Sequence, residues 1–354
     1  MDLHLFRVVR SKTGSKDSLD SYADYVEDIV SGLGYDVKDM EVEMSLRSGY
    51  LGYLRKGLLA PLIRTLRAGR RDVVHYTFEG LALFIPFCRA KKVVTFHHYV
   101  YKEENNPRRW YLLWRMSAGL AVRYADVLIT VSEQTKEEVI RELGADPSRI
   151  VVFSSSPNRE LRLDPSIGKR RMVGCMGSLT ERKNISATIR AFAILCSEPG
   201  FEDYVLRICG KGPLKDRLVA EAESLGVEDR VEFVSDLSVS ELREMYNSCS
   251  MVFNTSSHEG VGFLTIEAQA CGTPVLYLKG ASIPESVTVA AIPCDDEEDM
   301  ARTAVRLLSD PVRYEEVVRS GLEFSKAYSE NCSRSTVELF RGLQDEPLSP
   351  KTAE

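Results

Sequence analysis

Residues 251–275, MVFNTSSHEGVGFLTIEAQACGTPV, carry the pattern that decides the fold of the second half of the chain. Residues 251–254 are apolar enough for a short buried strand, and a polar loop with two glycines follows them. An apolar-patterned helix comes next and ends before Gly272-Thr273-Pro274, after which a second apolar run begins. Strand, glycine loop, helix and strand in this order predict one unit of a parallel α/β sheet.

The same stretch predicts an anion-binding site. Gly260 and Gly262 allow the backbone to approach a ligand closely, and the free N–H groups at the start of the helix, with the positive end of its dipole, face that ligand. Glu259 precedes the helix and Glu267 lies inside it. Because two carboxylates border a phosphate-sized site, we expect a ligand with both phosphate and hydroxyl groups.

The composition is typical of a globular protein with about two domains. The 354 residues are 44% hydrophobic and 28% charged, without a run of eighteen apolar residues or a signal-peptide pattern, so we expect a cytoplasmic protein. The eight cysteines contain no C-x-x-C pair and the histidines show no metal-binding spacing, so we expect reduced thiols and no metal. No DNA-reading motif is present, which argues against a nucleic-acid partner.

Strand and helix patterns alternate through the first half of the chain. The predicted strands are residues 3–9, 73–76, 93–96, 127–131 and 150–153, and the predicted helices are 19–33, 81–88, 110–124 and 133–143. Ser132 stands where an N-cap is expected, and Gly144 where the last of these helices should stop.

A polar stretch at 157–170, with two prolines and a glycine, predicts an interdomain linker. After it the alternation resumes, with strands at 172–176, 205–209 and 231–234 and helices at 185–196, 214–225, 240–249, 297–309 and 312–328. We therefore predict the α/β class, with Rossmann-like doubly wound parallel sheets in domains 1–160 and 168–330. Residues 331–354 are expected to form a C-terminal helix, which could pack back on the first domain, and a polar tail.

Two further loops carry groups suited to a diphosphate. Gly177 ends a strand and is followed by Arg182 and Lys183 at the start of a helix, where backbone N–H donors and cations neutralise charge. An Arg-Lys pair alone is more often solvated. Gly210 belongs to a G-x-G that also follows a strand, but this motif lacks the third glycine of a dinucleotide fingerprint.

Taken together, these segments resemble the retaining nucleotide-sugar glycosyltransferases of glycosyltransferase family 4, also called group 1. The landmarks are ADVLITVSEQTKEEV (125–139), GSLTERKNISATIRAF (177–192), ICGKGPLKDRL (208–218), ELREMYNSCSMVFNTS (241–256) and HEGVGFLTIEAQACGTPV (258–275). The last contains Glu259 and Glu267 eight residues apart, the E-x7-E signature of the family.

The resemblance implies a GT-B fold, in which an acceptor-side domain and a nucleotide-sugar-binding domain face each other across a cleft. It implies that Lys183, helped by Arg182, neutralises the leaving diphosphate, while Glu259 binds hydroxyls of the donor sugar and Glu267 the ribose. His97 matches a histidine near the donor sugar. The remaining donor-binding positions are backbone or glycine positions: Gly177, Gly210, Val261, Gly262, Phe263 and Leu264.

The implied reaction is sugar transfer from a nucleoside-diphosphate sugar to a glycan or lipid-linked acceptor, with retention and without a metal. No D-x-D run is present to hold a divalent ion on the donor. The chain departs from the family at 11–20, SKTGSKDSLD, where only Gly14 replaces the usual paired glycines, and at His98, a position that is commonly acidic. The alternatives are a non-catalytic nucleotide-sugar or glycan-binding relative and another GT-B enzyme such as a nucleotide-sugar epimerase.

Residues 44–71 contain seven basic residues and no acidic one, interleaved with leucines and tyrosines at near-helical spacing. This pattern is typical of an interfacial helix on anionic lipid, and equally of an amphipathic helix that packs on its own sheet. The membrane interpretation predicts peripheral attachment to the inner face of the cytoplasmic membrane, which suits a lipid-linked acceptor.

Overall fold

The computed structural model describes residues 1–8, 18–43, 49–97 and 108–345. The chain divides into two compact units, Met1–Ser156 with Glu330–Glu354, and Pro157–Ser329. Each unit is built on a six-stranded parallel sheet, so the predicted α/β class with two doubly wound sheets is confirmed. Within the described residues, no helix is long and apolar enough to cross a membrane.

The sheet of the first unit has the strand order β2-β1-β3-β4-β5-β6. Its strands are β1 (Asp2–Val8), β2 (Asp36–Val42), β3 (Val73–Tyr76), β4 (Lys91–Phe96), β5 (Val127–Thr130) and β6 (Ile150–Val152). Five of the six match predicted strands. Strand β2 was not predicted, because DVKDMEV is an edge strand with several charged, largely exposed side chains.

The helices of this unit are α1 (Ser18–Gly32), α2 (Gly49–Tyr53), α3 (Ala60–Arg67), α4 (Arg108–Tyr124) and α5 (Glu133–Leu143). A π-helical stretch, Leu54–Leu59, joins α2 to α3. The helix predicted at 81–88 is instead a 3₁₀ helix, Glu79–Phe87, which contains Pro86. The capping prediction for α5 is confirmed: Ser132 accepts a hydrogen bond from the Thr135 N–H, and Gly144 has φ of +66°.

The second sheet has the order β12-β11-β10-β7-β8-β9. Its strands are β7 (Arg170–Met176), β8 (Val205–Cys209), β9 (Val231–Val234), β10 (Cys249–Asn254), β11 (Val275–Leu278) and β12 (Ile292–Cys294). The helices are α6 (Ile185–Ser197), α7 (Lys215–Ser224), α8 (Val239–Ser248), α9 (Phe263–Ala270), α10 (Glu285–Thr288), α11 (Glu297–Leu308) and α12 (Pro311–Asp345). The predicted linker at 157–170 overlaps β7 at Arg170, and its Leu161 is buried in the core of this unit.

Helix α12 differs from the prediction, which ended a helix at 328 and began another segment at 331. It is continuous to Asp345, because SKAYSENCSRSTVELF contains neither proline nor glycine to stop it. In the first unit, Phe340 is fully buried with Leu3 and Leu5 of β1. The Phe340 carbonyl accepts a hydrogen bond from Tyr35 Oη at 2.7 Å.

Candidate functional site

The predicted donor site lies where the strand order of the second sheet reverses. Strand β7 lies between β10 and β8, so the loops after β7 and β10 leave the sheet side by side at its carboxyl edge. Ligands of open α/β sheets bind at such switch points. Two backbone hydrogen bonds link three loops here: Ser257 N–H donates to Arg182 O at 2.8 Å, and Ser282 N–H to Ser257 O at 2.8 Å.

Arg182 and Lys183 converge on Glu259. Lys183 Nζ lies 2.5 Å from Glu259 Oε1, and Arg182 Nη1 lies 3.4 Å from Glu259 Oε2. Arg182 Nη1 also donates to the His258 carbonyl at 2.8 Å. Burial raises the pKa of Glu259, but Lys183 and Arg182 outweigh that effect and hold the pKa below its usual value. The structure therefore brings together three predicted site residues as one ionised cluster.

Gly177 allows the Lys183 side chain to cross the end of β7. Its φ is +153°, and a Cβ placed there would lie 2.9 Å from Lys183 Cδ and 3.0 Å from Lys183 Cε. A larger residue would therefore push the Lys183 stem away from Glu259. Gly177 thus makes room for the Lys183 stem, and its role in donor binding stays a prediction.

Gly210 lies where the loops after β7 and β8 cross. A Cβ at Gly210 would be 1.8 Å from the Gly177 carbonyl oxygen, and the Gly210 N–H already donates to Val234 O at 2.9 Å. Gly212 is similarly tight, with a Cβ only 2.3 Å from the Leu179 carbonyl oxygen. These contacts explain the G-x-G by backbone packing, so a direct role of Gly210 in donor binding stays a prediction.

Helix α9 begins at the same edge. Gly262 caps it with φ of +86°, and a Cβ there would lie 3.0 Å from Val287 Cγ2. The N–H groups of Val261, Gly262, Phe263 and Leu264 find no backbone acceptor among the described residues outside regular helices and strands. The first N–H groups of a helix have no intrahelical partner, so this turn presents donors to an anion.

Glu267 projects from the second turn of α9. It is half-buried and accepts a hydrogen bond from Tyr246 Oη at 3.1 Å. Burial raises its pKa to about 7. Functional residues often have a shifted pKa of this kind, which lets the group change its charge near neutral pH. Tyr246 had no signal in the sequence, because only the fold brings α8 beside α9.

His97 follows β4 in the first unit and is buried. Its Nε2 lies 2.8 Å from the Thr77 carbonyl oxygen, which can only accept, so Nε2 carries the hydrogen. The Tyr22 ring packs edge-on against it with centroids 4.8 Å apart. Thr95 Oγ1 lies 2.8 Å from both Tyr22 Oη and His75 Nε2. This network holds the ring in place, and no local motif indicated it.

Glu79 is a second buried group that the sequence did not indicate. Trp114 Nε1 donates to Glu79 Oε1 at 2.9 Å, and Ser117 Oγ donates to the Glu79 carbonyl at 2.8 Å. Burial raises the pKa of Glu79 to about 8, so the carboxyl is largely protonated at neutral pH. The predicted features at His98 and Gly14, and most of the 11–20 loop, lie outside the described residues.

Comparison with known proteins identifies the family. Residues 159–324 match the family model described as glycosyl transferases group 1, and residues 40–155 match glycosyltransferase family 4. The chain is similar to the O-antigen chain mannosyltransferase B of Escherichia coli, with 25% identity over 316 residues that cover 83% of each chain.

A D-inositol 3-phosphate glycosyltransferase of Streptomyces bingchenggensis is 30% identical over 210 residues, 53% of this chain and 46% of that protein. The match thus spans about half the length of this relative.

Among solved structures, Anabaena Alr3699/HepE in complex with UDP and glucose superposes with a TM-score of 0.73 at 17% identity, covering 97% of this chain and 100% of that chain. WaaG, a glycosyltransferase involved in lipopolysaccharide biosynthesis, superposes with a TM-score of 0.71 at 14% identity and the same coverage. These likenesses show the fold, which is GT-B. With its two parallel sheets and both family matches, the chain belongs to the group 1 glycosyltransferases of family 4 and is a transferase.

Proposed function

We propose that this glycosyltransferase transfers a sugar from a nucleoside-diphosphate sugar to a glycan or lipid-linked acceptor, with retention of configuration and without a metal. The observation that carries the proposal is the convergence of Arg182 and Lys183 on Glu259 beside the start of α9. Two cations and the N–H groups at the start of α9 suit a diphosphate, and the carboxylate suits sugar hydroxyls.

The charges of this cluster fit the chemistry of the leaving group. Breaking the glycosidic bond of the donor places negative charge on the diphosphate, and preorganised cations and N–H donors stabilise that charge where it develops. Without a ligand, Glu259 neutralises one of the two positive charges. When a diphosphate binds, Lys183 can turn to its oxygens while Glu259 accepts hydroxyl groups of the sugar.

Retention follows if the acceptor attacks on the face from which the diphosphate departs. A double displacement would need a carboxylate nucleophile, as in retaining hydrolases. Glu259 is a weak nucleophile, because two cations neutralise its charge. We therefore assign Glu259 to binding and orientation, and Lys183 to charge stabilisation.

The relatives support the substrate classes. Anabaena Alr3699/HepE has been crystallised with UDP-glucose, which makes a uridine donor the first candidate. The Escherichia coli relative is named as an O-antigen chain mannosyltransferase, which supports a glycan acceptor.

A donor screen followed by product analysis tests the proposed function. Nucleoside diphosphates that bind the folded chain should raise its unfolding temperature by mass action, and the matching sugar donors should then be assayed in EDTA with simple glycoside acceptors. We expect diphosphate release and a product whose anomeric configuration, read by NMR, equals that of the donor. An inverted product would refute retention, epimerised donor without diphosphate release would favour an epimerase, and binding without turnover would favour a non-catalytic relative.

Glu267 makes donor binding depend on pH. Ribose hydroxyls donate to an ionised carboxylate, and the pKa of Glu267 in the free protein is raised to about 7 by burial. Donor affinity should therefore rise with pH through 7, with KM about three- to tenfold lower at about pH 8 than at about pH 6. Initial rates in wild type and Glu267→Gln check this: the variant should lose the inflection, and parallel profiles would contradict the assignment.

The same raised pKa affects stability in the opposite sense. A carboxyl whose folded-state pKa lies above its ordinary value favours the folded state while it is protonated, and this contribution disappears as pH rises to 7. Ligand-free Glu267→Gln should therefore gain stability relative to wild type above pH 7. The comparison separates an effect on folding from an effect on donor affinity.

We further propose peripheral attachment to an anionic bilayer, the inner face of the cytoplasmic membrane, through the 44–71 segment. Of this segment, residues 49–67 are helical in the structure and residues 44–48 lie outside the described residues. Four of its apolar side chains are strongly exposed: Leu51 (81%), Leu59 (55%), Ile63 (46%) and Leu66 (57%). Exposed Arg55, Lys56 and Arg67 accompany them, a combination that suits anionic headgroups.

Sedimentation with phosphatidylglycerol vesicles at low salt tests this attachment. We expect wild type to pellet with the vesicles, and Leu59→Glu with Leu66→Glu to remain largely in the supernatant. Leu225→Glu, at an exposed position of the second unit, is the matched control and should pellet like wild type. No pelleting of wild type, or equal pelleting of all three proteins, would exclude a membrane role for this segment.

A further inference from the structure

Asp2, His4 and Asp72 come together at the amino edge of the first sheet. Strands β1 and β3 are parallel with Leu3 opposite Val73, so Asp2 lies beside Asp72. Residues two apart on a strand share a face, which puts His4 on the same side as Asp2. His4 and Asp72 are 68 positions apart in the sequence, so only the strand register reveals the group.

The spacing of the ligand atoms fits one ion. One oxygen of each carboxylate and one ring nitrogen of His4 all lie within 4.8 Å of one another. His4 Nε2 is 3.5 Å from Asp72 Oδ2. Nitrogen and oxygen ligands lie about 2.0–2.2 Å from a tetrahedral Zn²⁺, so two of them on one ion are roughly 3.4 Å apart.

The buried His4 ring has polar atoms that could bind a ligand. Its side chain is 7% exposed, and neither ring nitrogen has a hydrogen-bond partner in the described part of the protein. Burying a polar group without a partner is costly. A cation on Nε2 would satisfy that nitrogen. The site is also accessible, because the Asp72 side chain is 22% exposed.

The surroundings favour a cation. Gly69 N–H donates to Asp72 Oδ2 at 2.7 Å and fixes the carboxylate, as hydrogen bonds around metal ligands commonly do. Lys38 lies opposite His4 on β2, but its ammonium group is paired with Asp36. Lys38 also interacts with Asp2, less strongly than with Asp36, and the three carboxylates of Asp2, Asp36 and Asp72 outnumber that one ammonium group.

We propose that Asp2, His4 and Asp72 bind one divalent transition-metal ion, with Zn²⁺ the best fit, and that this ion links strands β1 and β3. An imidazole with two carboxylates suits such an ion better than Ca²⁺ or Mg²⁺, which prefer oxygen ligands alone. His97 follows the carboxyl end of β4, at the opposite edge of this sheet. The ion would therefore stabilise this unit and take no part in sugar transfer, which we propose to be metal-independent. The expectation of no metal rested on histidine spacing and did not consider this group, because Asp72 is remote in sequence from Asp2 and His4.

Metal titration of the chelator-treated full chain tests the proposal. We expect one Zn²⁺ per chain by calorimetry and a higher unfolding temperature in Zn²⁺ than in EDTA. Co²⁺ should give visible d–d bands without thiolate charge-transfer absorption, which distinguishes this site from the eight buried cysteines. His4→Gln and Asp72→Asn should each weaken binding by at least about tenfold. Asp72→Asn is the safer variant for folding, because Asp72 is partly exposed and an amide oxygen can still accept the Gly69 N–H.

Asp146→Asn is the matched control, since it removes an exposed carboxylate that precedes strand β6 of the same sheet, and an amide oxygen can still accept the Ser148 N–H. Its Zn²⁺ affinity should stay within about threefold of wild type, and transferase turnover in EDTA should equal that in Zn²⁺. The proposal is overturned if wild type binds no stoichiometric Zn²⁺, if His4→Gln and Asp72→Asn both bind like wild type, or if Co²⁺ shows thiolate absorption.

Discussion

Lys183→Met should lower kcat for sugar transfer by about 10²- to 10³-fold, the usual effect of removing one group that stabilises developing negative charge. Methionine keeps most of the side-chain stem that passes over Gly177 but removes the ammonium group from Glu259. Steady-state kinetics with saturating acceptor measure the effect. Because the charge develops in the transition state, kcat should fall more than the affinity for the donor.

Two further variants separate catalysis from folding. Lys183→Met leaves the buried Glu259 carboxylate with Arg182 as its remaining cation, so some stability is lost. Adding Glu259→Gln should restore the unfolding temperature without restoring turnover. Lys211→Met is the matched control, because Lys211 is an exposed lysine of the neighbouring loop paired with Asp236; its turnover should stay within about twofold of wild type. A well-folded Lys183→Met with turnover within threefold of wild type would remove Lys183 from the mechanism.

Gly210→Ala should destabilise the second unit by about 3 kcal/mol or more, at the severe end of single substitutions. The new Cβ would lie 1.8 Å from the Gly177 carbonyl oxygen. Both partners in this clash belong to the backbone, so it cannot be relieved by rotating a flexible side chain. The loops must separate, which breaks the hydrogen bonds from Gly177 N to Cys209 O at 3.0 Å and from Leu179 N to Lys211 O at 2.8 Å. Urea unfolding measures the loss.

Gly168→Ala is the control for this variant. It lies in the same unit, and nothing lies within 4 Å of a Cβ placed there, so its stability should change by less than about 1 kcal/mol. Any folded Gly210→Ala protein should also turn over slowly, because displacement of Gly177 moves the Lys183 stem. If Gly210→Ala unfolds at the same urea concentration as wild type, the crossing of the two loops is not as tight as the contacts indicate.

Local patterns account for what the sequence predicted well. Strands 205–209 and 231–234 were predicted to the residue, because each is a short, mainly apolar run bounded by polar turns. The cap residues Ser132 and Gly144 act within one turn of their helix. The E-x7-E stretch also lies in one loop and one helix, so Glu259 and Glu267 are identifiable from the sequence alone. The exposed strand β2 and the 3₁₀ helix at Glu79–Phe87 lack such signals.

By itself, then, the sequence determined the α/β class, the order of the elements and the family signature, since each depends on neighbours within one or two elements. The tertiary structure alone decided that Glu259 pairs with Lys183 and Arg182, which lie 76 and 77 residues earlier in the chain. The tertiary structure likewise placed Gly210 where two loops cross too closely for a side chain. It also decided that His4 meets Asp72, since strand register and strand order bring remote residues into contact and neither is written in local periodicity.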